Sequence, residues 1–272
     1  MKAWVIALAV LFGAAVGTAA ATANAQSSGA GTDGPVPFPA GQVAGFAKQV
    51  ERELAGRHAF VAIVGRLGQP ADDLPPGVVA THIGFWVYSR IRTADGRTLP
   101  GYAAYNLYQR DDDLARSALA VDYPVDFFAG AHALKAWVIV PTPEVQGRLL
   151  RVIGSDTYRA LHNPRYSAVS NPADQRYQNC TEHTLDVLLA AVLETADPAR
   201  IKRAAATRFR PTPIRLGLLQ RIFAPVFDPG VAFADHAGPI GTATFTSLAG
   251  FMQREGYARD VFTVTFPATA TR

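Results

Sequence analysis

The sequence predicts a globular domain that mixes amphipathic helices with antiparallel strands, and three observations carry that expectation. Val43, Phe46, Val50 and Leu54 recur at helical spacing. Two β-rich runs, residues 81–88 and 101–109, flank the hairpin turn signal Asp95-Gly96. The segment Asn179-Cys180-Thr181-Glu182 has the form of a helix start, and an apolar run, residues 185–193, follows it. With 272 residues, 49% of them hydrophobic, the chain can bury one sizeable core.

In chain order, the N-terminus reads as a secretory signal. Lys2 supplies the positive charge, residues 3–21 are small and apolar, and Ala23-Asn24-Ala25 fits a cleavage site. Cleavage after Ala25 gives an exported, periplasmic chain with no stable membrane insertion and lowers the formal charge from +4 to +3, because Lys2 leaves. Residues 26–40 read as a flexible linker, rich in Gly, Ser and Pro. The first helix follows, then a short buried strand at residues 59–64, then a Pro-rich loop at 68–77. Beyond the hairpin lie an acidic loop (Asp111 to Asp113), a strand at residues 136–140 and a helix opened by Thr142-Pro143. After the cysteine helix, helices are expected to start near Pro198, Pro213 and Ser247, with a last strand at 261–266. Lys202, Arg203, Arg208, Arg210, Arg215 and Arg221 read as a solvated helix surface. No nucleic-acid module is visible. His58, His132, His162 and His236 are scattered without ligand spacing, so neither a metal nor another cofactor is expected.

The chemistry gathers around Cys180, the single cysteine of the chain. One cysteine cannot form an intramolecular disulfide, and in an exported chain an unpaired thiol stands out as a reactive group. At the first position of a helix its sulfur meets unpaired N–H groups and the positive end of the dipole, which favour thiolate. A thiol nucleophile needs a base, and the base needs a third group to fix its tautomer. His82 supplies the base from a β-strand, with His183, one helical turn after Cys180, as a rival. An ideal two-residue turn sets Gln109 opposite His82, whereas one bulge residue at Pro100-Gly101 brings Asn106 onto the His82 face instead. The Cys180 N–H, with Gln178 or Tyr177 as a neighbouring donor, would hold an oxyanion.

The stretches Thr81-His82-Ile83-Gly84, Asn106-Leu107-Tyr108, Arg165-Tyr166-Ser167 and Arg176-Tyr177-Gln178-Asn179-Cys180 resemble those of a family of exported bacterial proteins, domain of unknown function family 2145. The resemblance runs from about Phe46 to Ala196. That family in turn resembles circularly permuted papain-like proteins of the NlpC type, in which the histidine strand precedes the cysteine helix. The resemblance implies an α+β, permuted papain-like fold over residues 41–200, a small antiparallel sheet packed on the cysteine-bearing helix, and residues 201–272 as a C-terminal extension. It also implies a Cys–His–polar site and favours Asn106 over Gln109 as the orienting residue. The function expected on these grounds is an exported thiol hydrolase or acyltransferase acting through an acyl-thioester on Cys180, on cell-wall peptide or another envelope amide or ester. The alternative is a non-catalytic envelope binding or assembly protein that keeps the same fold.

Overall fold

The computed structural model describes residues 38–93, 95–215 and 230–266, so the expected leader, most of the linker and Arg221 lie outside it. Helix α1 (Ala40–Gly56) follows Pro39, and it buries Val43, Phe46, Val50 and Leu54, the residues with helical spacing. Strand β1 (Val61–Arg66) is buried along its whole length, as a continuous apolar run predicts for a strand covered on both faces. Strands β2 (His82–Arg92) and β3 (Thr98–Gln109) form the expected hairpin. Strand β4 (Ser117–Asp122) pairs with β3, and helix α2 (Pro124–Ala129) follows it directly. Strand β5 (Lys135–Pro141) then leads into α3 (Pro143–Ile153), capped by Thr142, and the short α4 (Asp156–Ala160).

The cysteine helix is α5 (Cys180–Leu193), and α6 (Pro198–Arg208) comes next. The helix expected to start near Pro213 lies mostly outside the described residues; Thr212–Pro213 itself is a two-residue strand, β6, paired with β7 (Gly241–Thr242). Helix α7 (Phe245–Arg254) starts two residues before the expected Ser247, because Thr244 caps it and Ser247 completes a capping box from inside the first turn. Strand β8 (Ala258–Thr265) ends the described chain.

The molecule is α+β, with one six-stranded antiparallel sheet and seven α-helices among the described residues. The strand order is β4-β3-β2-β1-β5-β8, larger than the small sheet expected. The segment read as a C-terminal extension supplies an edge strand of this sheet through β5–β8 pairing.

Because side chains alternate along a strand, each face of the sheet has its own core. Ala62, Val64, Trp86, Ala104 and Val138 pack under α1 and α2 with Phe46, Phe127 and Phe128. Val61, Ile63, Ile83, Phe85 and Ile139 pack on the other face under α3, α5, α6 and α7. Helices therefore cover both faces, a three-layer arrangement that leaves the ends of the strands as the natural place for a site.

Candidate functional site

The β2–β3 register decides which polar group meets His82. Gly84 pairs with Asn106 and Arg92 with Thr98, and the ladder runs without a slip past Arg90–Pro100. Thr93 N–H donates to Arg97 O at 2.9 Å, and Gly96 takes φ 82°. The connection is thus a three-residue loop with a left-handed glycine, not the ideal two-residue turn. That one extra residue sets the register, and no bulge at Pro100-Gly101 is needed. Asn106, Tyr108 and His82 consequently share a face with Trp86.

His82 is fully buried there. Its Nε2 lies 3.0 Å from Asn106 Oδ1. The imidazole stacks on Tyr108, with ring centroids 4.5 Å apart and planes 19° apart, and Phe127 of α2 closes over it at 5.4 Å. Asn106 Nδ2 donates to Ala104 O at 3.0 Å and also to Asp122 Oδ1, while Tyr108 OH donates to Asp122 Oδ2 at 2.8 Å. Arg66 completes the group from β1 and donates to Gly130 O at 2.8 Å. Burial, with the Arg66 charge second, pulls the His82 pKa down to about 3, so the ring is neutral at ordinary pH. Burial also lifts Asp122 to about 6.

Helix α5 begins as its residues predict. Asn179 is extended (φ −113°, ψ 177°) and its Oδ1 accepts from Glu182 N–H at 2.8 Å. The capping box is only half made, because the Glu182 carboxylate does not return to the cap. It accepts from Lys202 Nζ at 2.5 Å, and Lys202 also donates to Asp186 at 2.8 and 3.0 Å. Lys202, expected on a solvated surface, is buried in this cluster. Arg203, Arg210 and Arg215 are exposed as expected, and the half-buried Arg208 pairs with Glu255.

Cys180 is 5% exposed and packs with Leu107 and Tyr166. Leu107 alternates with Asn106, so the sulfur approaches β2 from the α5 side, at the first residue of the strand. Its Sγ lies 4.0 Å from Thr81 O and 3.9 Å from Thr181 Oγ1. The structure thus seats the sulfur on the main chain that carries His82. The helix start was expected to favour thiolate, but burial outweighs it. The thiol pKa is pushed up, with the Ile83 and Thr181 N–H groups and the Arg66 charge opposing.

The other expected site residues have different surroundings. Gln109 donates to Leu114 O at 2.8 Å, away from His82. The Gln178 amide is committed to structure: its oxygen accepts from Asn163 N–H at 2.8 Å and its nitrogen donates to Leu161 O and Asp186. Tyr177 is half-buried under Arg165, 5.0 Å from guanidinium carbon to ring centroid. His183 packs edge-on against Tyr158 at 5.0 Å and 6.2 Å from His162. A cavity of about 300 Å³ has Gln178, Glu182, Asp186 and Lys202 in its wall but neither Cys180 nor His82. Among the described residues no group of three or more His, Cys, Asp or Glu side chains could hold a metal ion.

Sequence reasoning missed Tyr108, Asp122 and Arg66. Alternation from Asn106 would have found Tyr108 on the same face. Asp122 and Arg66 needed β4 and the β1–β2 register.

No curated protein and no solved structure matches the chain. The model of one family does, that of an uncharacterized protein conserved in bacteria (DUF2145), over residues 53–252. That span runs from the last turn of α1 into α7 and takes in every residue of the site just described, and the chain belongs to the DUF2145 family.

Proposed function

We propose that this protein is an exported thiol hydrolase or acyltransferase that works through an acyl-thioester on Cys180, built as a permuted papain-like domain. The observation that carries the reading is the seating of Cys180 Sγ 4.0 Å from Thr81 O while the next residue, His82, has its Nε2 held 3.0 Å from Asn106 Oδ1. The sulfur and the His82 ring approach β2 from opposite faces, so the reaction needs Nδ1, the ring nitrogen nearer the main chain, to meet the sulfur around the end of that strand. Asn106 binds the far side of the ring, where an orienting group belongs.

In this reaction the sulfur attacks the carbonyl carbon of an amide or ester. His82 Nδ1 takes the thiol proton and passes it to the leaving nitrogen or oxygen as that bond breaks. The Cys180 N–H, at the open end of α5, faces the developing oxyanion. Water or a second nucleophile then cleaves the thioester and restores the thiol. With the thiol shifted up and the imidazole down, both partners rest neutral, so proton transfer accompanies attack instead of preceding it. The sequence of the first 25 residues points to the periplasm, where peptide bonds of the cell wall are the abundant amide substrate.

The test is acylation by a small activated ester followed by mass spectrometry of the intact protein. One acyl group on Cys180 is expected, absent in Cys180→Ser and slowed roughly 10²- to 10⁴-fold in His82→Ala. Acylation indifferent to His82 would sink the proposal. A second reading, a non-catalytic binding or assembly protein, is favoured by one feature: Cys180 is only 5% exposed. Under that reading a strain carrying Cys180→Ser behaves like the wild type and unlike a deletion.

A further inference from the structure

The polar group under His82 contains a carboxylate that the reaction above does not use. We propose that Asp122 is a positioning residue: it turns the Asn106 amide so that oxygen, not nitrogen, faces His82, and thereby makes Nδ1 the acceptor of the ring, the nitrogen that would take the Cys180 proton. The functional part of this inference rests on the reading of Cys180 and His82 given above; the orienting part does not.

The argument is a count of donors and acceptors. Asn106 Nδ2 has two hydrogens, and they go to Ala104 O and Asp122 Oδ1. An ionised carboxylate only accepts, so the nitrogen must be the end that faces Asp122. Oδ1 is left to meet His82 Nε2 at 3.0 Å, and an amide oxygen also only accepts. Nε2 therefore carries the ring proton, and a neutral imidazole has no second one. Nδ1 is the acceptor.

The same carboxylate holds the surface on which the ring lies. Asp122 Oδ2 accepts from Tyr108 OH at 2.8 Å, and the Tyr108 ring is the one stacked on His82. Asp122 is itself buried, 7% exposed at the end of the edge strand β4. The groups that face it are Tyr108 and Asn106 from β3, Arg66 from β1, Asp126 from α2 and Tyr158 from α4. Of these, the Arg66 charge favours the carboxylate and Asp126 opposes it; burial outweighs both and lifts Asp122 to about 6.

A protonated Asp122 becomes a donor, which removes the reason for the amide to keep its nitrogen there. Asn106 can then turn its nitrogen to His82, whose proton must move from Nε2 to Nδ1. The site would lose its base as pH falls through about 6, whereas His82 itself does not gain a proton until about 3. The two acid limits are well separated.

Long-range proton–nitrogen correlation spectra of the ¹⁵N-labelled protein read the His82 tautomer directly. The wild type at pH 8 should show Nε2–H, and an Nδ1–H pattern there would overturn the proposal without any variant. Asp122→Ala should show Nδ1–H or a mixture, with Cys180 acylation slowed by up to about 10⁴-fold, the cost of a wrong histidine tautomer in a serine triad. Asp122→Leu, close in shape and unable to accept from Asn106, serves if Asp122→Ala does not fold. A folded variant that keeps the Nε2–H pattern and the wild-type rate assigns the orienting role to Ala104 O alone and rejects Asp122. If His82→Ala acylates as fast as the wild type, the functional reading fails, while the tautomer spectra still decide what Asp122 does.

Discussion

A glycine stands at position 84 because a side chain there would occupy the space of the Asn106 amide. A Cβ built on Gly84 would meet Asn106 Oδ1 well inside contact distance and come within 2.9 Å of Tyr105 O. The reason is close approach of a neighbouring strand, not a left-handed backbone. Gly84→Ala should therefore push Asn106 off His82 as well as strain the sheet. We expect a loss of about 1–3 kcal/mol in urea unfolding, the usual cost of overpacking, together with a disturbed His82 tautomer. Gly41→Ala is the control, since nothing lies within 4 Å of a Cβ there. In a helix it should be neutral or slightly stabilising. Equal melting of the two variants would show that the Asn106 amide has room to move and does not depend on Gly84.

At the scale of elements, α5 is fixed by the residue that caps it as much as by its apolar run. Asn179 Oδ1 caps Glu182 N–H, while Nδ2 donates to Ala168 O at 3.1 Å and Thr242 Oγ1 at 3.0 Å. A lost cap alone costs about 1 kcal/mol, and two further buried partners add to it. Asn179→Ala should thus lose about 2–3 kcal/mol in chemical denaturation, with Asn179→Asp between it and the wild type, because Asp keeps the cap but cannot donate. A loss below about 0.5 kcal/mol for the alanine would mean that α5 is placed by packing alone. This helix start was legible in the sequence because capping is local, and so was the hairpin. The register was legible only as a choice between Gln109 and Asn106, since the length of the loop after Thr93 decides it. What stayed hidden depends on distant partners. Glu182 has the spacing of a capping box, yet Lys202, twenty residues on, draws its carboxylate inward. The thiol-lowering dipole at Cys180 is a local feature, whereas the burial that overrides it comes from Leu107 and Tyr166. Strand β4 is six residues with no strong alternation, so the sequence concealed the element that carries Asp122.

For the whole molecule, the buried titratable groups predict an asymmetric stability profile. His82 and His183 titrate at about 3 in the folded chain against an ordinary 6.5, so the unfolded chain binds more protons between those values. Their contribution to stability therefore rises with pH up to about 6.5. Asp122 and Glu182 act the other way. Their folded pKa values of about 6 and about 8 stand above the ordinary 3.8 and 4.5, so the folded chain binds more protons and stability falls as pH climbs through each window. The cause at Glu182 is plain in the geometry: one ammonium, Lys202, faces two buried carboxylates and stays charged between them, and burial raises both acids. Above pH 6.5 the histidine and Asp122 contributions are complete, leaving the Glu182–Asp186 pair. Between pH 4.5 and 6 the two histidines oppose the two carboxylates, so stability should be nearly level there, pass a shallow maximum near pH 6 and decline toward pH 8, with a slope of at most about 1.4 kcal/mol per pH unit for one proton. Glu182→Gln keeps a hydrogen-bond acceptor for Lys202 and balances the cluster at one charge of each sign, so it should flatten the decline and also make stability rise more steeply below pH 6.5, where Glu182 opposes the histidines. Urea unfolding of both proteins at half-unit intervals from pH 5 to 8.5 decides the matter. A decline of full slope that survives in Glu182→Gln would place the extra proton elsewhere in the fold, and a wild-type stability still rising at pH 8 would mean that Lys202 holds both carboxylates ionised.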